Sequence, residues 1–228
     1  MSGKMYGLSA YSLFKDRNLN PVDYSHRNKK AEFYYQIINV GSDTKVLSSI
    51  LRREKYLFSS NQAFDKIIGL RDIYSKEYRE LVKARTIEQK INQKFIDSHN
   101  STINKVAKYP DKIEFHFAIM ELEAWFLGIK DIFLSFDDRL TDEKIEASLA
   151  IKLSDIDPEK EVFHPAVLIN KIMELANDGY DKKKAEVNKF MGRISKKDFN
   201  DLFESDKCQA FNEFCNSLEV DTTIEDRD

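Results

Sequence analysis

The chain has 228 residues, of which 42% are hydrophobic, 12% aromatic and 33% charged, and its formal net charge is −3. This length and apolar content are sufficient for one domain with a smaller additional lobe, so the core needs no disulfide or metal to stabilise it. A total charge near zero excludes a protein that is basic over its whole surface, as many nucleic-acid-binding and membrane-surface proteins are.

The first predicted elements follow a polar segment, residues 1–30, whose sequence predicts an irregular or short-helical lead-in. Aromatic and β-branched residues at 33–40 predict a strand that is buried on both faces. Gly41 ends this strand, and Ser42 or Asp43 can cap the helix that follows. The helix is predicted from an apolar stripe, which consists of Val46, Leu47, Ile50 and Leu51.

Two more strand–helix pairs follow in the sequence. Residues 66–70 predict a second strand, and a charged helix is expected over 76–95. Residues 112–119 predict a third strand, and helical periodicity begins at Glu121. Three such pairs in succession indicate parallel strands with right-handed crossovers. We therefore predict an α/β fold with a short parallel sheet.

The C-terminal part contains no strand signals. It predicts a turn at 155–159, a helix from Pro165 to Gly179, and two further helices near 182–191 and 206–218. The predicted organisation has four parts, which are an irregular lead-in at 1–30, an α/β core at 31–150, a helical lobe packed on it at 151–220, and an acidic tail at 221–228.

The two cysteines and the apolar segments indicate the compartment. Cys208 and Cys215 are seven residues apart in a helical pattern, so we expect reduced thiols on one buried helix face. The first residues lack the apolar run of a signal peptide, and no segment approaches the length of a membrane span. These features predict a cytoplasmic protein with no membrane association.

Common catalytic motifs are missing from the sequence. It contains no glycine-rich phosphate loop, no HExxH motif, no paired CxxC and no GxSxG nucleophile elbow. Nucleotide hydrolysis by this chain alone is therefore not expected. The remaining candidates are acidic side chains.

Four acidic residues follow the predicted strands, where ligands of open parallel sheets gather. Asp43 follows the first strand, Asp72 the second, and Glu121 and Glu123 the third. Their carboxylates have the ligand chemistry of Mg²⁺ or Mn²⁺, which would activate water against a phosphodiester. Helix capping and turn formation are the alternative explanation, above all for Asp43. On one helix, Glu121 and Glu123 diverge by about 200°, so only one is expected to face the sheet edge.

Other polar and aromatic residues are better explained by packing. His116 is expected at the interior or edge of the sheet, and Trp125 is expected in the core. The basic side chains between residues 76 and 94 are typical of a solvated helix face, with a nucleic-acid contact strip as the alternative.

Several segments carry a resemblance to a known family. They are Ile67-Ile68-Gly69-Leu70-Arg71-Asp72-Ile73-Tyr74, His116-Phe117-Ala118-Ile119-Met120-Glu121-Leu122-Glu123-Ala124-Trp125-Phe126-Leu127, Phe163-His164-Pro165 and Tyr180-Asp181-Lys182. Together they resemble the bacterial TOPRIM-like family known as domain of unknown function four-two-seven-six. The resemblance runs in patches from about residue 33 to 218, and its most specific block is Glu-Ala-Trp-Phe-Leu.

The resemblance implies a Rossmann-like TOPRIM core and a metal-dependent phosphoesterase or nuclease that acts on nucleic acid. It also implies a frequent partnership with an ABC-type ATPase in anti-phage defence. Asp72 matches the acidic position after the central strand, and Glu123 matches the glutamate before the family's Ala-Trp. These two residues would hold Mg²⁺ or Mn²⁺, and Glu121 would help to position water.

The chain departs from the TOPRIM pattern at two points. Residues 1–30 contain no strand that leads to the usual Gly/Glu motif, and Tyr74 occupies the place of the second aspartate after Asp72. Two functions therefore stay open. One is a metal-dependent nuclease, and the other is a non-catalytic TOPRIM-like module that docks on an ATPase or another protein.

Overall fold

A computed structural model describes residues 20–21, 34–59, 64–82 and 85–218. The predicted lead-in at 1–30 and acidic tail at 221–228 lie, except for residues 20–21, outside these described residues. The described strands are β1 (Asn20–Pro21), β2 (Tyr34–Tyr35), β3 (Ile67–Asp72) and β4 (Ile113–Ala118).

The sheet that organises the site consists of β3 and β4. The two strands are parallel, and their register runs from Ile67 opposite Ile113 to Asp72 opposite Ala118. Phe115 and Phe117 of β4 are buried. Parallel strands of this kind need apolar cover on their faces, which explains the apolar sequence of both segments. The predicted parallel pairing of these two strands is confirmed, and the chain is a mixed α/β protein with mostly helical content.

Ten α-helices lie within the described ranges. They are α1 (Val46–Ser59), α2 (Lys76–Leu81), α3 (Gln89–Val106), α4 (Glu123–Gly128), α5 (Asp142–Leu149), α6 (Pro158–Glu161), α7 (Pro165–Glu174), α8 (Lys184–Met191), α9 (Lys196–Glu204) and α10 (Gln209–Ser217). Of the helices described, none has the length and apolar character needed to cross a membrane.

The strand predicted over 33–40 is wrong for most of its length. Of its described residues, 34–40, only Tyr34–Tyr35 forms a strand, which pairs with β1 and not with the β3–β4 sheet. The following segment, 36–40, has no regular structure, and Ile37 and Ile38 are exposed. A strand needs a hydrogen-bonded neighbour as well as β-branched residues, and these isoleucines have no described strand beside them.

The charged helix predicted over 76–95 is two helices. The first ends before Val82, whose backbone is extended and whose side chain is buried, and the second begins at Gln89. The hydroxyl of Tyr78 donates to Asn92 Oδ1 at 2.6 Å, which joins α2 to α3. Burial of Val82 and this buried hydrogen bond are tertiary effects that helical periodicity does not encode.

Two hydrophobic clusters form the core of the described residues. The smaller one surrounds β3 and β4 and includes Ile50 of α1, Ile103 of α3 and Phe117. The larger one extends from Ala118 to Cys215 and contains most of the C-terminal helices. It therefore includes residues on both sides of position 150, where the sequence predicts the start of the helical lobe.

The predictions for Cys208, Cys215 and Trp125 are confirmed. Both cysteines are free and buried, and Trp125 is 1% exposed. Cys208 differs in detail, because it lies at the N-cap of α10 in a left-handed conformation and not inside the helix.

Candidate functional site

Three of the four acidic residues singled out in the sequence lie at the carboxyl ends of the two parallel strands. Asp72 is the last residue of β3, Glu121 lies in the loop after β4, and Glu123 is the first residue of α4. Because Asp72 pairs with Ala118 in the register, both strands end at one edge of the sheet. This edge is where the sequence predicts a site.

Lys182 connects the two glutamates. Its Nζ lies 2.9 Å from Glu121 Oε1 and 3.2 Å from Glu123 Oε2. The hydroxyl of Tyr180 donates to Glu123 Oε1 at 2.8 Å. We call Asp72, Glu121, Glu123, Tyr180 and Lys182 the carboxylate–lysine cluster. It joins the end of the sheet to the segment between α7 and α8.

Backbone amides hold two of the carboxylates in place. Leu122 N donates to Asp72 Oδ1 at 3.0 Å, so the chain leaving β4 fixes the side chain at the end of β3. Ala166 N, in the first turn of α7, donates to Glu121 Oε2 at 3.1 Å. An anion is favourable at that position because the first amides of a helix have no partner within it.

The backbone at the cluster contains two residues with positive φ. Lys182 has φ 60° and Met120, in the loop just before Glu121, has φ 62°. Residues other than glycine rarely adopt this conformation, which is kept where the surrounding contacts require it. Lys182 makes two ion pairs and Met120 is fully buried, so the surroundings of both residues favour this conformation.

The charges of the cluster act on one another. Burial, with a further contribution from the charge of Glu123, raises the pKa of Asp72 to about 7, and Lys182 opposes this shift. Burial alone would lower the pKa of Lys182, but Glu123, Glu121 and Asp72 together raise it above its ordinary value. The lysine therefore stays charged and neutralises part of the acidic cluster.

The expectation that only one glutamate faces the sheet edge is wrong. Glu121 and Glu123 both contact the same ammonium group. The two side chains would diverge by about 200° only if both residues were in one helix. Helix α4 begins only at Glu123, and Glu121 precedes it in a loop, so the helical angle does not separate them.

The other candidates lie outside the cluster. Asp43 is exposed at the start of a short 3₁₀ helix, Asp43–Lys45, and Ser42 precedes that helix without a side-chain capping hydrogen bond. His116 is partly buried, its ring contacts Phe214, and its Nε2 lies 3.7 Å from Glu114 Oε2. Burial lowers the pKa of His116, as expected for a packed histidine.

The fit of this cluster to a divalent cation can be judged from its donors. Carboxylate oxygens are the ligands that Mg²⁺ and Mn²⁺ prefer, and the Lys182 ammonium shows that the cluster holds one cation between Glu121 and Glu123. Within residues 34–59, 64–82 and 85–218, however, no three histidine, cysteine or acidic side chains are arranged around one metal position. The donor chemistry fits a metal site, and binding there requires Lys182 to release Glu123.

Sequence reasoning gave no role to Lys182 or Tyr180. They are 61 and 57 residues away from the glutamates that they contact. The sequence pointed to these two residues only weakly, because Tyr180-Asp181-Lys182 is one of the segments in which it resembles the TOPRIM-like family. The helix pattern alone assigned this segment to the start of a helix.

Comparison with protein-family models, with curated proteins and with solved structures finds no match to this chain. The TOPRIM-like relationship therefore stays a prediction from the sequence, and the cluster must be interpreted from its own geometry.

Proposed function

We propose that the carboxylate–lysine cluster is the active site of a metal-dependent phosphoesterase, most specifically a nuclease. The observation that carries this proposal is the pairing of Glu121 and Glu123 with one ammonium group at the carboxyl edge of a parallel strand pair. Asp72, whose Oδ1 accepts from Leu122 N, interacts with this group through its charge. The family resemblance adds a Rossmann-like TOPRIM core and a setting in anti-phage defence beside an ABC-type ATPase.

Each residue of the cluster has a distinct part in this proposal. Asp72 and Glu123 would hold Mg²⁺ or Mn²⁺, which supplies an activated water and neutralises charge on a phosphodiester. Glu121, fixed by Ala166 N, would position water. Tyr180 orients Glu123 through its hydroxyl. Lys182, once released from Glu123, would carry a positive charge toward the phosphate oxygens.

The test is cleavage of plasmid DNA and of structured RNA by the full chain with Mg²⁺ or Mn²⁺. We expect Asp72→Asn and Glu123→Gln each to reduce cleavage by about a hundredfold or more, as the loss of a group that stabilises the transition state does. Glu54→Gln is the matched control for Glu123→Gln, because Glu54 is also buried but accepts from Lys108 N in another part of the fold. It should cleave at the wild-type rate.

The second candidate, a non-catalytic module, is favoured by the ion pairs of Lys182. Five of the six carboxylate oxygens in the cluster already have a partner within the protein. If the wild type cleaves neither nucleic acid, with or without a candidate ATPase, the module is the better interpretation. Binding to that ATPase should then survive in the Asp72→Asn variant.

A further inference from the structure

A second concave surface lies between α1 and α3, over β3. It is a cavity of about 420 Å³ with an apolar side formed by Leu47, Leu51 and Phe95. Its polar side includes the buried Arg71 and the ring of His99. The hydroxyl-bearing residues Thr44, Ser48 and Thr102 also line it. Its volume lies in the range of small-molecule sites, but it is an open groove and not an enclosed cavity.

Arg71 is buried without a countercharge in contact. Its side chain is 4% exposed, and its Nε donates to the carbonyl of Asp72 at 3.1 Å. Its Nη2 has no hydrogen-bond partner in the part of the chain that is described, and no described carboxylate lies within ion-pair distance. A buried guanidinium in this state is costly unless an anion completes its environment.

The groups in contact with Arg71 do not supply that anion, and the carboxylates of Asp43, Glu77 and Asp72 act on it only at longer range. The Nη1 group lies 3.5 Å from His99 Nε2, and His99 Nδ1 lies 2.9 Å from the carbonyl of Phe95. The proton of His99 is therefore on Nδ1, and burial lowers the pKa of this ring, so it is neutral. The rings of Phe95 and Phe117 lie 5.7 and 5.8 Å from the guanidinium carbon and contribute only cation–π contact.

We propose that this cavity binds a small organic anion whose carboxylate or phosphate group pairs with Arg71 and whose apolar part contacts Leu47, Leu51 and Phe95. A guanidinium binds oxyanions through hydrogen bonds from its N–H groups, and Nη2, which has no described partner and is covered by neighbouring atoms, would have to become accessible to supply one. The lining hydroxyls can donate to the remaining oxygens.

This site is separate from the carboxylate–lysine cluster. Arg71 and Asp72 are consecutive residues of β3, so their side chains point to opposite faces of the sheet. Binding at the cavity therefore does not depend on the proposed phosphoesterase activity. Glu77 is exposed and also lines the cavity, and its negative charge opposes an incoming anion.

The experiment is calorimetric titration of the full chain with four probes: phenyl phosphate, benzoate, inorganic phosphate and acetate. We expect one of the two aromatic anions to bind, and to bind more tightly than its counterpart without a ring. Preference for phenyl phosphate or for benzoate identifies the anionic group. Arg71→Met should weaken this binding by about tenfold or more.

Two more variants keep the test decisive. Arg139→Met removes an exposed arginine that is paired with Asp137, and it should not change binding. Glu77→Gln, at an exposed position where the fold is not at risk, should tighten binding. The proposal is overturned if no probe binds at millimolar concentration, or if Arg71→Met and Glu77→Gln both bind like the wild type.

Discussion

Lys182 is the residue on which the electrostatic balance of the carboxylate–lysine cluster depends. Its side chain is 40% exposed, whereas those of Glu121 and Glu123 are 14% and 5% exposed. The lysine therefore keeps part of its hydration while it neutralises two carboxylates that have lost most of theirs. Removing it leaves these carboxylates in a poorly hydrated site without a countercharge.

We expect Lys182→Met to lower the free energy of unfolding at pH 8 by about 1–3 kcal/mol. This loss is smaller than that expected for a fully buried ion pair, because the lysine is partly exposed. Urea denaturation measures this loss. Lys189→Met is a closely matched control, since Lys189 is 39% exposed and pairs with Asp178, which is 44% exposed. It should cost less than about 1 kcal/mol. If Lys182→Met and Lys189→Met lose equal free energy of unfolding, the burial of the paired acids does not change the strength of the ion pair.

Glu159 provides a prediction on pH. It is 5% exposed, and it accepts from Trp125 Nε1 at 2.8 Å and from Ala210 N at 2.9 Å. Burial nevertheless raises its pKa from 4.5 to about 7. The folded state then binds the proton more tightly than the unfolded state, so this residue stabilises the fold below pH 4.5 and loses that contribution as the pH rises toward 7.

Glu159→Gln should remove this pH dependence. Between pH 5 and pH 8 the stability of the wild type should fall relative to that of the variant by on the order of 2–3 kcal/mol. Urea denaturation at both pH values measures the difference. Trp125→Phe removes a hydrogen bond that lowers the pKa of Glu159. The stability of this variant should therefore fall more steeply with pH than that of the wild type. If the free energy of unfolding changes with pH by the same amount in the wild type and in Glu159→Gln, this account is wrong.

The acidic part of the carboxylate–lysine cluster was predictable from the sequence, and its cation was not. Asp72, Glu121 and Glu123 each follow an apolar strand, and parallel strands end at one edge. Lys182 lies in a loop whose path depends on how α7 packs against α4. No periodic pattern encodes that path, so the partner of the two glutamates appears only in three dimensions.

At the scale of elements, the approach of α1 to β3 depends on Gly69. A Cβ atom at this position would lie 2.6 Å from Ile50 Cδ1 and 2.8 Å from a ring carbon of Phe115. Both distances are shorter than real carbon contacts, and both neighbours are buried. The missing side chain therefore allows the helix and the neighbouring strand to pack closely on β3.

We expect Gly69→Ala to lower the free energy of unfolding by about 1–3 kcal/mol through overpacking. Chemical denaturation of the two purified proteins measures the difference. Gly179→Ala is the matched control, because its added Cβ would meet only Asn170 Oδ1, at 3.7 Å. That change should be neutral or slightly stabilising. A neutral Gly69→Ala would mean that α1 and Phe115 can move apart at no cost.

The elements themselves were predictable to different degrees. β3 and β4 have apolar sequences that fit a covered parallel pair, and they form close to the predicted bounds. Helix α9 was missed, although Ser195 and Asp198 form a capping box that the sequence shows. The strand at 33–40 failed because a strand depends on a neighbour that its own sequence does not specify.

At the scale of the whole molecule, the two hydrophobic clusters meet at the end of the sheet. Phe117 belongs to the smaller cluster and Ala118, the next residue, to the larger one. A backbone hydrogen bond crosses this junction, from Ile73 N in the smaller cluster to the carbonyl of Ala118 at 3.0 Å. The carboxylate–lysine cluster lies at the same junction. These links favour cooperative unfolding of the two clusters as one unit.

The two buried thiols can test that cooperativity. Burial raises the pKa of Cys215 to about 12 and also raises that of Cys208, so neither forms much thiolate at pH 8 while the protein is folded. We expect no reaction of the native protein with an aromatic disulfide reagent, and reaction of both thiols in urea. The midpoint of thiol labelling should coincide with that of far-ultraviolet circular dichroism, which reports the helices of both clusters.

A Cys215→Ala variant, which keeps one thiol, assigns the signal to Cys208 at the start of α10. Thiols that stay protected beyond the circular dichroism transition would show that the smaller cluster, around β3 and β4, unfolds first. The carboxylate–lysine cluster would then lose Asp72 while Glu121, Glu123 and Lys182 stay in place. Coincident transitions mean instead that the site and both clusters form together, because the sheet edge that places Asp72 is also the surface on which the C-terminal helices pack.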